Sequence, residues 1–157
     1  MKNIFQLIID TLLYPYLHFS FKGKIKKLAE QIEKEITDDF LELMLGAMSI
    51  WFRLDKRFRK NIEGFSADYV FRDISGEIAA SAQFSNGKMK VKHQEIKNPV
   101  VTVTFDRGRS LIDLLMSDDP NVFDFLLENR LSYTGNFNYL LKFAYLAKKL
   151  KLTFSFT

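Results

Sequence analysis

The chain has no cysteine, which excludes disulfides, thiolate metal sites, iron–sulfur clusters and cysteine nucleophiles. Histidine is nearly as scarce. His18 and His93 lie far apart, with no second ligand-type residue at metal spacing and no neighbouring serine or acid pattern of a triad. Neither metal nor cofactor is expected, and no catalytic residue is assigned. Glycine (7) and proline (3) are few, and neither G-x-G-x-x-G nor G-x-x-x-x-G-K-[ST] occurs, so phosphate-cradling loops of nucleotide enzymes are absent. No uninterrupted run reaches the roughly 18 apolar residues that a transmembrane helix needs. The segment from Met1 to Phe21 is apolar, but Gln6 and Asp10 interrupt it and no Ala-x-Ala-like cleavage site follows. The expectation is a cytoplasmic protein, with membrane association as an addition to it.

Charge of one sign is not concentrated either. The net +4 divides evenly: residues 1–64 carry 11 Lys/Arg against 9 Asp/Glu, and residues 65–157 carry 12 against 10. With no basic tail, nucleic acid is not an expected partner. What the chain does have is rings. Sixteen Phe, six Tyr and one Trp make 15% of its 157 residues, more ring surface than closing a core of this size requires. A chain this long buries roughly 68–70% of its unfolded surface, and its apolar content excludes disorder.

The first third reads helical. Ile25, Leu28, Ala29, Ile32 and Ile36 form one stripe over Lys24–Ile36. Thr37 or Asp38 caps a second helix from about Asp39 to Asn61, so apolar through its middle that cover on more than one side is expected. Arg53, Lys56, Arg57, Arg59 and Lys60 in its last turns complement the helix dipole. Past Gly64 the period changes to two. Ala67–Asp73 and Glu77–Phe84 read as strands, Asn86-Gly87 as a tight hairpin turn, and Lys88–Lys92 as a strand with its lysines on the wet face. Val101, Val103 and Phe105 alternate with Thr102 and Thr104 in a fourth strand, giving an antiparallel sheet with one buried face.

Helices then return. Ser110-x-x-Asp113 has the form of a capping box before Leu111, Leu114 and Leu115. Asp118-Asp119-Pro120 opens a helix to about Asn129. Leu131–Thr134 is extended, and Gly135-Asn136 breaks it and caps a last helix to about Lys151, with Leu140, Phe143, Ala144, Ala147 and Leu150 inward. Leu152, Phe154 and Phe156 alternate again, in a tail that either plugs the interior or extends the sheet. The paired acids Asp38-Asp39 and Asp118-Asp119 sit where helices begin, which makes them caps rather than acid–base pairs.

Ala80 and Ala82 are small residues facing Leu115, Phe123, Leu127, Phe143 and Ala147. Such an arrangement either closes tightly or leaves a cavity. A second functional reading rests on Ile4–Phe21 followed by Lys22, Lys24, Lys26 and Lys27. This amphipathic stretch with cations suits an accessory or adaptor role at an anionic membrane surface, or packs on the domain as one more core helix.

From about Phe65 to Lys151 the sequence resembles the sterol carrier protein type of lipid-binding domain. The likeness rests on Asn98–Phe105 as a proline-led strand, on Leu111–Leu115 in the helix after it, and on Asp119-Pro120 followed by Phe123–Leu126. It ends with Asn129–Asn136 as a short strand closed by glycine and a polar cap. Asn129 stands where many members have glycine, but asparagine tolerates left-handed geometry. Ser117 replaces another frequent glycine. The resemblance implies an α+β fold, a curved and mostly antiparallel five-stranded sheet covered by helices. It makes residues 65–157 the lipid-binding domain and residues 1–64 an N-terminal helical extension. It also implies a non-enzymatic carrier for a fatty acyl, sterol-like or isoprenoid lipid. Some bacterial relatives with extra N-terminal helices serve isoprenoid quinone synthesis, and this chain is similar in layout. The apolar tunnel so implied is lined by Phe71, Ile78, Ala80, Ala82, Phe84, Val101, Val103, Phe105, Leu111, Leu115, Phe123, Leu127, Leu140, Phe143 and Ala147.

Overall fold

The computed structural model describes residues 37–155 apart from 77, 118 and 120, and the side chains of all these but 37–40, 115, 116 and 152–155. The helix expected at Lys24–Ile36 and the amphipathic stretch Ile4–Phe21 lie outside the described residues. What is described falls within one compact unit, Ile36–Thr157.

Helix α1 spans Thr37–Leu54. It was expected to run on to Asn61, but Asp55 stops it. The Asp55 carboxylate accepts the backbone N–H groups of Arg57 (2.7 Å) and Phe58 (3.1 Å), starting a new short helix, α2, at Lys56–Arg59. A 3₁₀ turn, Lys60–Ile62, follows. Leu41, Leu45, Met48, Trp51 and Phe52 form the buried stripe of α1. Leu43 and Ile50 are exposed, so cover on more than one side is not what this helix has.

Five strands make one sheet in the order β3-β2-β1-β4-β5: β1 Ala67–Asp73, β2 Ala79–Ser85, β3 Lys88–Lys92, β4 Val101–Phe105 and β5 Leu131–Gly135. Asn86 (φ 51°) and Gly87 (φ 67°) supply the left-handed pair that the β2–β3 turn demands. Three pairings are antiparallel, but β1 and β4 run parallel, because β4 returns to the free edge of β1 after the β2–β3 hairpin. The register puts Tyr69, Phe71, Ala80, Ala82, Phe84, Val101, Val103 and Phe105 on one face, all buried. The other face is wet only at its rim. Lys88, Lys90 and Lys92 are exposed as expected, whereas Val70 (1% exposed) and Ser81 (0%) at its centre are not.

Helix α3 is Gly108–Met116 and α4 is Val122–Leu127. Neither opens as expected. Ser110 lies inside the first turn of α3, buried, and its hydroxyl accepts from Arg130 Nε (3.3 Å) while Asp113 pairs with Arg130 Nη2 (2.5 Å). No capping box remains once those side chains are taken. Asn121, not an aspartate, caps α4 through the Phe123 N–H (3.1 Å), and Asp119 instead pairs with Lys148. Helix α5, Phe137–Ser155, is capped by Asn136 through the Asn138 N–H (2.9 Å). Residues 152–155 continue that helix rather than forming a strand.

Asp73 closes β1 at the inner face. Burial raises its pKa, but hydrogen bonds from the Ser75 hydroxyl, the Ile78 N–H (3.0 Å) and the Gly76 N–H outweigh this, and the net value lies below the ordinary one. A carboxylate depressed from an unfolded pKa of about 3.9 stabilises the fold above that pH and withdraws the stability as pH falls through its folded value. Urea unfolding from about pH 7 down to about pH 3 should therefore show a loss below about pH 4 that Asp73→Asn lacks. Parallel profiles would remove this role.

Candidate functional site

The inner sheet face graduates from small to large. Ala80 and Ala82 sit opposite Phe71 and Tyr69 across the β1–β2 ladder, and Val103 and Val101 flank the same two rings from β4. The two alanines make a low floor on β2, between the rings of β1 and Val91 of β3. Over it lies α5. Phe143 stands 4.6 Å from Phe71, 5.2 Å from Tyr69 and 6.4 Å from Phe84, measured between ring centroids. Phe84 also meets Phe52 of α1 (6.0 Å) and Phe65 (5.4 Å), so two helices and the sheet share one ring cluster. Most of these contacts are edge-to-face or tilted, the geometry that ring quadrupoles favour.

Of the fifteen residues expected to line a tunnel, ten are buried: Phe71, Ile78, Ala80, Ala82, Phe84, Val101, Val103, Phe105, Leu111 and Leu140. Phe143 and Ala147 are half-buried on α5. The side chain of Leu115 lies outside the described residues. Phe123 and Leu127 do not join the others, being 51% and 82% exposed. The reason is the length of α4, six residues whose one buried position belongs to Phe125, under the Arg130 guanidinium at 4.4 Å. Phe123 instead meets Phe137 (5.8 Å), which meets Tyr133 (5.4 Å), as a partly exposed ring cluster beside β5.

Tyr69 is a central member of the inner face that the sequence reading passed over. Its hydroxyl donates to the Tyr139 carbonyl at 2.9 Å, and burial, with the Tyr139 side chain adding to it, pushes its pKa well above the ordinary tyrosine value. The phenol therefore stays neutral and acts as a polar peg between sheet and α5. The signal was available, since Ala67, Tyr69 and Phe71 alternate with Asp68 and Arg72. Leu146, fully buried on α5, was missed as well.

Among the described residues no group of three or more His, Asp or Glu side chains is placed to hold a metal. No helix among them is long and apolar enough to cross a membrane. Among the described residues, the chemistry this layer offers is apolar contact.

No family model matches the sequence, and a search of curated proteins finds no match. Solved structures do match. The UbiJ-SCP2 ubiquinone synthesis protein is 16% identical with a TM-score of 0.52, over 72% of this chain and 93% of that one. The sterol carrier protein domain 2 of Helicoverpa armigera is 16% identical with a TM-score of 0.53, over 74% and 91%. A double mutant of a sec-alkyl sulfatase is 12% identical with a TM-score of 0.50, over 56% of this chain but 14% of that one. At these identities the likeness is one of fold, and the fold is the sterol-carrier type: a mixed five-stranded sheet packed with helices.

Proposed function

We propose that a protein with this fold and this inner face is a non-enzymatic carrier of a hydrophobic ligand, held between the sheet and the helices within residues 65–157. The observation that supports the reading is the alanine floor of Ala80 and Ala82 on β2, bordered by Tyr69 and Phe71 across the β1–β2 ladder and by Phe84 along the strand, with the half-buried Phe143 of α5 against those same three rings. Burying one methylene yields about 0.8 kcal/mol, so roughly ten offer about 8 kcal/mol before ordering costs, with no precisely placed polar group required. The fold neighbours favour the same class of ligand. One is named for ubiquinone synthesis, which directs the search toward isoprenoid lipids as well as fatty acids and sterols.

Native mass spectrometry and lipid extraction of protein purified without detergent test this. The expected result is a co-purifying lipid, with fluorescent fatty acid or isoprenoid probes binding the emptied protein. Phe143→Ala, at a half-buried position, should weaken probe binding about tenfold while leaving the fold intact. If no lipid co-purifies and no probe binds, the protein is not a carrier.

A further inference from the structure

An open cleft of about 620 Å³ lies between the turn that leads into β1 and the β2–β3 hairpin. Arg53 from α1, Arg59 from α2 and Lys88 from β3 line it against a single carboxylate, Glu63. Among the described residues none of these three cations is held in an ion pair. The carboxylates that pair do so elsewhere, with Arg72, His93, Arg107, Arg109, Arg130 and Lys148. Asp55, nearest in sequence, gives its carboxylate to the N–H groups of α2. Arg59 donates to the Arg53 carbonyl at 3.4 Å, which engages part of one guanidinium and neutralises neither.

The helix dipole expected to account for this basic run does so only in part. Arg53 lies in the last turn of α1 and Arg59 in the last turn of α2, where cations complement the dipole, but Lys88 comes from a strand and brings a third positive charge that no helix end explains. The cleft is also not purely polar. Half-buried Phe65 lines it and carries Lys142 Nζ at 5.6 Å over its ring, adding a fourth cation at the margin. Three cations gathered against one carboxylate attract an anion, and guanidinium forks match phosphate oxygens in particular.

We infer that this cleft binds a phosphate group, carried either by a lipid headgroup or by a small soluble phosphate. The site stands independently of whether the inner face holds a ligand. Its test is an amide NMR titration of the full chain with inorganic pyrophosphate, beside flotation with vesicles of phosphatidic acid in phosphatidylcholine and of phosphatidylcholine alone. A soluble phosphate ligand predicts saturable shifts at Gly64 and Gly87. A headgroup ligand predicts flotation with phosphatidic acid, absent with phosphatidylcholine alone, that Arg59→Gln weakens. In whichever arm responds, Arg59→Gln and Lys88→Gln should each weaken binding about tenfold. Glu63→Gln should tighten it, and Lys90→Gln, exposed on β3 but outside the cleft, should leave it unchanged. Silence in both arms overturns the site. So does equal weakening by Lys90→Gln and Lys88→Gln, which would mean diffuse surface charge.

Discussion

Gly135→Ala should destabilise the protein by about 3 kcal/mol or more, among the larger effects a single methyl produces. Two costs combine. Gly135 ends β5 at φ +105°, a backbone conformation that side chains with a Cβ rarely adopt. A Cβ built there would also run into the Val100 carbonyl oxygen, with the carbonyl carbon at 3.0 Å and Val101 Cα at 3.1 Å. That carbonyl cannot retreat freely, because it accepts the Asn136 N–H (3.3 Å) and Val101 is the register partner of Gly135. Relief therefore means separating β5 from β4 or shifting the Asn136 cap of α5. In urea the midpoint should fall with the slope unchanged. The thermal midpoint should fall by roughly 2–4 °C for each kcal/mol lost, as expected at this size. Gly46→Ala in α1 is the internal comparison. No neighbour lies within 4 Å of that Cβ position, so the same methyl should stabilise by about 0.5–1 kcal/mol. Equal effects at the two positions would mean that the close approach at Val100 is not what fixes Gly135.

The sequence made some of this legible and not the rest, for physical reasons. Turn chemistry was readable because it is local. Asn86-Gly87 and Gly135-Asn136 impose backbone angles that few other residues accept, and Asn129 (φ 56°) takes the left-handed conformation expected of it. The strands were readable from their period of two. Helix starts were less so, because a capping residue is chosen by competition. Ser110 and Asp113 had the spacing of a cap, but Arg130, twenty and seventeen residues further on, takes both side chains. Asp55 looked like one more polar residue in a long helix until its carboxylate met two N–H groups. At the candidate site, the sheet side followed from register and the helix side did not. Phe123 and Leu127 lie on the exposed side of a helix too short to bury more than Phe125. The unpaired cations of the cleft were hidden for the same reason, since Lys88 joins Arg53 and Arg59 only through the tertiary fold.

Phe84→Ala should cost about 3–5 kcal/mol in the absence of ligand, the range for deleting a buried phenylalanine. Phe84 is 1% exposed and meets four rings, on α1, on the approach to β1, on β1 itself and on α5. Its neighbours are pinned from different elements, so they close the space only in part. Tyr69 is held by its hydrogen bond to the Tyr139 carbonyl and Phe52 is stacked on Phe58 at 4.6 Å. The cavity term should therefore be near its maximum. For a carrier this variant has a second consequence. A ligand that binds the native state alone at a hundred times its Kd adds about 2.7 kcal/mol of stability. A fatty acid or isoprenoid lying on the alanine floor gains new volume where the ring was, so it should raise the melting temperature of Phe84→Ala more than that of the parent. Val70→Ala, buried on the opposite face of the sheet, carries a packing loss without that gain, and its ligand-induced shift should match the parent's. If the lipid shifts all three proteins equally, it binds away from the inner face. If it shifts none of them, the rings of this layer are core and nothing more, and the carrier reading falls with them.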